Sequence, residues 1–97
     1  MTGSTRSSEG LNERQRRLLF RSWHRGIRET DLVLGRFADA HIADLSEADL
    51  DTYEKLLDTV LDHDLYVWVT GEAAIPPEHR SDLLDRIITF HNAGGRR

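Results

Sequence analysis

The residues with the means to do chemistry are few and widely spaced. His24, His41, His63, His79 and His91 are separated by 12 to 22 positions, so no two of them form the short-range pair that presents two imidazoles to one metal ion. Asp62-His63-Asp64 sets an imidazole between carboxylates, but without further ligands at hand it reads more economically as a helix cap with solvated neighbours. The chain has no cysteine, which removes thiolate nucleophiles, Cys-rich zinc sites and a disulfide framework. Neither a Ser-His-Asp order, a phosphate-binding loop nor Gly-x-Gly-x-x-Gly occurs. A small enzyme using the histidines and carboxylates stays as an alternative, whose mark would be turnover by the chain alone.

Charge carries more information. A formal net charge of -4 conceals a division along the chain. From Met1 to Arg36 there are eight arginines against four carboxylates, and from Phe37 to Glu72 ten carboxylates against Lys55 alone, so the molecule is expected to be dipolar. Arg14, Arg17, Arg21 and Arg28 fall close to one helical face and are expected to stay wet, which is what a phosphate-binding surface would need. The acidic remainder and the lack of apparent exposed aromatics for base stacking speak against that use. A nucleic-acid-binding module is therefore the runner-up, and the expectation is no nucleic acid. Arg25-Gly26-Ile27-Arg28-Glu29 is the segment least explained by folding: a helix terminator needs the glycine, but nothing in that role calls for the flanking arginines or the glutamate. On physics alone it reads as a capped helix end with surface charges.

The elements that position these groups are constrained by length. A chain of 97 residues buries only roughly 60 to 68% of its unfolded surface and cannot divide that into two cores. It should form one domain with its function on the outside, which weighs against an enzyme. Met1 to Gly10, rich in Ser, Thr and Gly, reads as a disordered leader that lacks the apolar stretch of a signal peptide. The sparse basic residues there support a mitochondrial presequence poorly, and a bacterial cytoplasmic protein is the expected setting. Apolar runs such as Leu65 to Val69 fall far short of the roughly 20 residues that span a bilayer, so no membrane insertion is expected. The domain is placed at 11–94, followed by a basic tail at 95–97.

Five helices follow from start signals, stop signals and apolar spacing, an all-α compact bundle. Asn12 with Gln15 forms a capping box for the first, whose inner stripe is Leu11, Leu18, Leu19, Ser22 and Trp23 and whose end is marked by Gly26. The second is expected from about Thr30 to Ala43, with Leu34, Phe37, Ala38, His41 and Ile42 inward and Glu29 and Asp31 near its start. Ser46 caps the third, Leu45 staples onto Leu50, and Leu50, Tyr53, Leu57, Val60 and Leu61 face inward. Asp62 or Asp64 caps a fourth helix from Leu65 to Thr70, ended by Gly71. After Ile75-Pro76-Pro77 a fifth helix turns Leu83, Leu84, Ile87, Ile88 and His91 inward and stops at Gly94-Gly95. Leu65 to Val69 has strand-like composition, but a lone strand has nothing to pair with. Trp68 is expected in the core.

The sequence resembles the FAD assembly factors of succinate dehydrogenase, called succinate dehydrogenase assembly factor 2 in mitochondria and SdhE in bacteria. The family's Arg-Gly-x-x-Glu is matched by Arg25, Gly26 and Glu29. The likeness runs from about Arg16 to Phe90 and includes Asp31, Phe37, His41, Tyr53, Leu56, Leu57, Asp64-Leu65-Tyr66-Val67-Trp68 and Pro77-Glu78. It implies a five-helix bundle and a chaperone-like role. The factor would bind the flavoprotein subunit while a flavoprotein histidine becomes bonded to the 8α-methyl carbon of FAD, with no catalytic residue of its own. The resemblance implies a partner surface of Arg25, Gly26 and Glu29, with Arg28, Asp31 and Tyr66 as further contacts. It also implies a monomer forming a one-to-one complex, with the fumarate reductase flavoprotein left open as a second client. FAD would belong to the client, since the chain lacks a dinucleotide fingerprint.

Overall fold

A computed structural model describes residues 10–94; the expected leader and tail lie outside the described residues, apart from Gly10. Five α-helices make up the bundle: α1 Glu13–Trp23, α2 Arg28–His41, α3 Glu47–Thr59, α4 Asp62–Thr70 and α5 Asp82–Asn92. Short 3-10 turns at Ile42–Asp44 and Pro77–His79 complete them, and the described residues contain no strand. Leu65 to Val69 lies within α4. None of the described helices is long and apolar enough to cross a membrane.

The helix starts arise where polar side chains replace missing backbone partners. At α1 the Asn12 side chain accepts from the Gln15 N–H at 2.8 Å while Gln15 Oε1 accepts from the Asn12 N–H at 2.9 Å, the reciprocal capping box the spacing predicts. Ser46 Oγ accepts from the Asp49 N–H at 3.1 Å, and Ser81 Oγ from the Leu84 N–H at 3.0 Å. Gly71, with φ of +84°, closes α4, in a conformation that a side chain would strain.

α2 is the central element, packed against α1, α4 and α5, while α1 also meets α3, and α5 meets α3 and α4. The single core contains the predicted stripe of α1 together with Leu34, Phe37, Ala38, Ile42, Leu50, Tyr53, Leu65, Trp68, Leu84 and Ile87. Leu45 and Leu50 are both buried across the start of α3. Tyr53 is fully buried and its hydroxyl bonds Ser22 Oγ, which in turn donates to the Leu18 carbonyl at 2.7 Å. Burial pushes the phenol pKa well above its usual range, against the smaller opposing effect of the Ser22 bond, so the group stays neutral.

Four expectations are corrected. α2 begins at Arg28, two residues early, because Ile27 is extended and the helix starts at once after it; it passes into the 3-10 turn at Ile42. Leu61 is 71% exposed: α3 ends at Thr59 and Val60 is extended, so helical periodicity no longer directs the next side chain. Neither Asp62 nor Asp64 caps α4; the helix begins at Asp62 itself, with Leu61 in the cap position and no side-chain cap bond. On α5 the buried set is Leu83, Leu84, Ile87 and Phe90, with Ile88 and His91 only half-buried. Phe90 sets its ring edge-on to Phe37, centroids 5.9 Å apart, and to His41 at 5.3 Å. Burial, aided by Arg86, lowers the His41 pKa.

One close approach was not visible in the sequence. A Cβ added to Gly35 would fall 2.3 Å from Cδ2 and Cε2 of the buried Trp23 indole, whose Nε1–H donates to Asp39 Oδ1 at 3.2 Å. Gly35 is thus where α1 and α2 draw together. Gly35→Ala is expected to destabilise the fold by about 1–3 kcal/mol through overpacking. That outweighs the roughly 1 kcal/mol by which alanine is the better helix former. Urea unfolding monitored by tryptophan fluorescence checks this.

Candidate functional site

The turn from α1 to α2 occupies only residues 24–27, and its shape is held from inside. His24 ends α1 through its backbone N–H to the Arg21 carbonyl, and its ring nitrogen bonds the Phe20 carbonyl at 2.7 Å. Gly26 then adopts φ of +114°, a region in which only glycine is unstrained. Nothing lies within 4 Å of where its Cβ would be. The glycine is therefore required by backbone conformation and leaves open space toward solvent.

Arg25 is the hub of this turn. Its backbone N–H donates to Asp31 Oδ1 at 2.8 Å, closing the loop onto the first turn of α2. Its guanidinium pairs through Nε with Asp62, and donates through Nη1 to the Leu57 carbonyl at 3.0 Å and through Nη2 to the Val60 carbonyl at 2.6 Å. The side chains of the pair are only 13% and 17% exposed. The forked guanidinium is suited to three acceptors set apart in one plane, which an ammonium is not. Arg25 thus ties the turn to the end of α3 and the start of α4.

The surface residues of the motif lie around this hub. Gly26, Ile27, Arg28 and Glu29 are exposed. Glu29 and the half-buried Tyr66 line one shallow depression together with Ile27, Thr30, Asp62 and His63. The structure therefore brings Glu29 and Tyr66 together, with the exposed Gly26 and Arg28 on either side of Ile27 in the chain, while Arg25 and the buried Asp31 face inward and support the turn. Sequence reasoning missed Ile27 and His63 as neighbours of Glu29 and Tyr66. It also missed Asp62 as the partner of Arg25. Ile27 carried one usable signal, an apolar residue between Gly26 and Arg28 at a position that no inward face claims. Asp62 lies 37 residues from Arg25, a distance at which local spacing says nothing.

The arginine row of α1 is altered as well. Arg14, expected to stay wet, meets Glu47, Asp51 and Glu54 at 3.0, 2.6 and 2.9 Å, and its bonds to Asp51 and Glu54 raise its pKa further. Arg21 meets Asp58 at 2.7 Å. The basic and acidic stretches of the chain thus meet across α1 and α3, and two of the four arginines that a phosphate backbone would need are engaged internally. Among the described residues no ion pair involves Arg17 or Arg28, and no three or more His, Asp or Glu side chains converge as a metal site requires.

Comparison with known proteins gives this surface its context. A protein-family model described as flavinator of succinate dehydrogenase matches residues 16–91. That stretch contains the whole turn, Asp62 and Tyr66. Curated relatives named succinate dehydrogenase assembly factor 2, mitochondrial, include one from Drosophila grimshawi, 37% identical over 81 residues, covering 82% of this chain and 55% of that protein. One from Candida glabrata is 43% identical over 89 residues, 88% and 58% of the respective chains. One from Kluyveromyces lactis is 40% identical over 72 residues, 74% and 44%. The chain spans about half the length of the relatives it matches. Their names are mitochondrial, which overturns the expectation of a bacterial cytoplasmic protein raised from the composition of Met1 to Gly10. They are named as assembly factors, not as enzymes. On the family match and the identities together, the chain belongs to the flavinator family of succinate dehydrogenase assembly factors.

Proposed function

We propose that the chain binds the flavoprotein subunit of succinate dehydrogenase and promotes covalent attachment of FAD to it, through the surface around Gly26. The observation that carries this reading is the family match over residues 16–91, which includes an exposed glycine turn held by buried charge. Gly26 projects no side chain and has open space beside it, so a partner backbone can approach closely. Arg28, Glu29 and Tyr66 flank it and supply charged and aromatic contacts. Arg25 and Asp31 are positioning residues in this scheme: they shape the turn and leave the contacts to their neighbours.

The chemistry falls to the client. When bound in the flavoprotein, FAD would supply a ring able to take up an electron pair, and the flavoprotein would hold the histidine that ends bonded to its 8α-methyl carbon. The assembly factor contributes selection of a flavoprotein conformation in which the two are close, an orientational advantage that needs no bond to either. FAD is accordingly the client's cofactor. The isolated chain should not bind it tightly, and submicromolar binding in a direct titration would contradict this. A one-to-one complex with a monomer fits a single small surface.

Co-expression tests the function. Flavoprotein produced with this chain should carry covalent flavin, seen as fluorescence of its band on a denaturing gel, well above the level produced without it. Equal fluorescence in both would overturn the proposal.

A further inference from the structure

Among the described residues the exposed large hydrophobic side chains are Phe20, Ile27 and Leu61, at 63, 42 and 71%. Single exposed apolar residues are ordinary on a protein surface. These three share one neighbour, the Arg25 hub. Phe20 stacks on His24, ring centroids 3.9 Å apart and nearly parallel, and His24 immediately precedes Arg25. Ile27 follows Gly26 in the turn itself. Leu61 stands between Val60, whose carbonyl accepts from Arg25, and Asp62, its ion partner. Each is tied through one residue or one bond to the same guanidinium hub.

Arg17, Phe20 and His24 follow the i, i+3, i+7 spacing that puts them on one face of α1. Arg17 and Arg28 are both exposed and have no ion pair among the described residues, whereas Arg14 and Arg21 on the α3 side are paired. The neighbourhood of the hub thus holds three exposed apolar side chains, with Arg17 one helical turn from Phe20, Arg28 next to Ile27, and Glu29 as the carboxylate that shares a depression with Ile27.

We infer that Phe20, Ile27 and Leu61 are the apolar anchors of the docking surface, and that the occupant is an apolar face of the flavoprotein bordered by carboxylates. The inference rests on the function proposed above and extends it beyond the Arg-Gly-x-x-Glu residues to positions on α1 and at the start of α4. Continuity with the Gly26 turn argues for this occupant, because one partner covering the turn covers its neighbours too. The exposed arginines supply the charge that such a border would meet. In interfaces of this kind a few buried aromatic or aliphatic side chains carry most of the affinity, with charges at the rim.

Phe20→Ser and Leu61→Ser alter side chains that the core does not hold, so helicity and melting temperature should stay close to those of the parent. Calorimetric titration of purified flavoprotein should show each weakening binding by about 10-fold, equivalent to ~1.4 kcal/mol, and the double variant by more. Sedimentation of the chain alone is measured in parallel. Unchanged affinity in the double variant, with the parent still binding and promoting flavinylation, would overturn this inference and leave the proposed function standing. So would a dimer of the chain that the substitutions dissolve without affecting flavoprotein binding, since the occupant would then be a second copy. Failure of the parent chain to bind the flavoprotein would defeat both readings at once.

Discussion

Arg25→Ala should lower the stability of the chain by about 2–4 kcal/mol, because it leaves Asp62 unpaired in a mostly buried position and strips two carbonyls of their donor. Those carbonyls belong to Leu57 and Val60, and the pair is 13% and 17% exposed. For a domain of this size that corresponds to a fall in melting temperature of roughly 10–25 °C. A residue whose guanidinium met the partner directly would leave the melting temperature of the free chain unchanged when truncated. Three further variants separate the cases. Asp62→Ala should reproduce most of the defect although Asp62 lies outside the Arg-Gly-x-x-Glu motif, and the double variant should cost clearly less than the sum of the singles, as expected of coupled partners. Arg25→Lys should rescue little, since one ammonium cannot reach all three acceptors. Thermal unfolding followed by circular dichroism measures all of these, and flavinylation by the same variants should fall in step with loss of the turn.

Gly26→Arg should act in the opposite manner, with a modest effect on folding and a large one on docking. The φ of +114° makes any side chain there costly by about 1–3 kcal/mol, but the open space around the position leaves the fold room to accept one. The added side chain then stands outward where the partner backbone is to approach. Gly26→Ala carries the same backbone strain with almost no bulk, so the two variants should melt at similar temperatures. Binding to the flavoprotein should weaken at least ~100-fold for arginine, or about 2.7 kcal/mol, and far less for alanine. Similar affinities for the two would show that strain, not obstruction, accounts for the effect. Calorimetry on purified proteins resolves the difference.

What the residues disclosed before any coordinates depended on how far each cause lies along the chain. The capping box at Asn12, the cap at Ser46 and the stop at Gly71 were legible because capping is settled within a few residues. The α1 stripe was legible because Leu18, Leu19, Ser22 and Trp23 recur at helical spacing. Leu61 was misread because the periodic pattern was carried past the point where Val60 turns extended, and Phe90 was passed over in favour of Ile88 and His91 on a helix only 11 residues long. Gly26, Arg28, Glu29 and Tyr66 were placed at the surface by resemblance, and they do lie exposed or half-exposed around one turn. Asp31 turns inward to the Arg25 backbone N–H, six residues back. The inward direction of Arg25 was not legible, because it depends on Asp62, Leu57 and Val60 arriving from more than 30 residues away. Gly35 was hidden for the same reason, its constraint being the Trp23 ring of another helix.

Reconstitution from purified components bears most directly on the central claim. Flavoprotein lacking its flavin is mixed with FAD, alone, with the parent chain, or with folded Gly26→Arg, and covalent flavin fluorescence is followed on denaturing gels over time. The parent chain should speed attachment, and Gly26→Arg should leave the rate at that of FAD alone. Equal rates with and without the parent chain, or full acceleration by Gly26→Arg, would contradict the account.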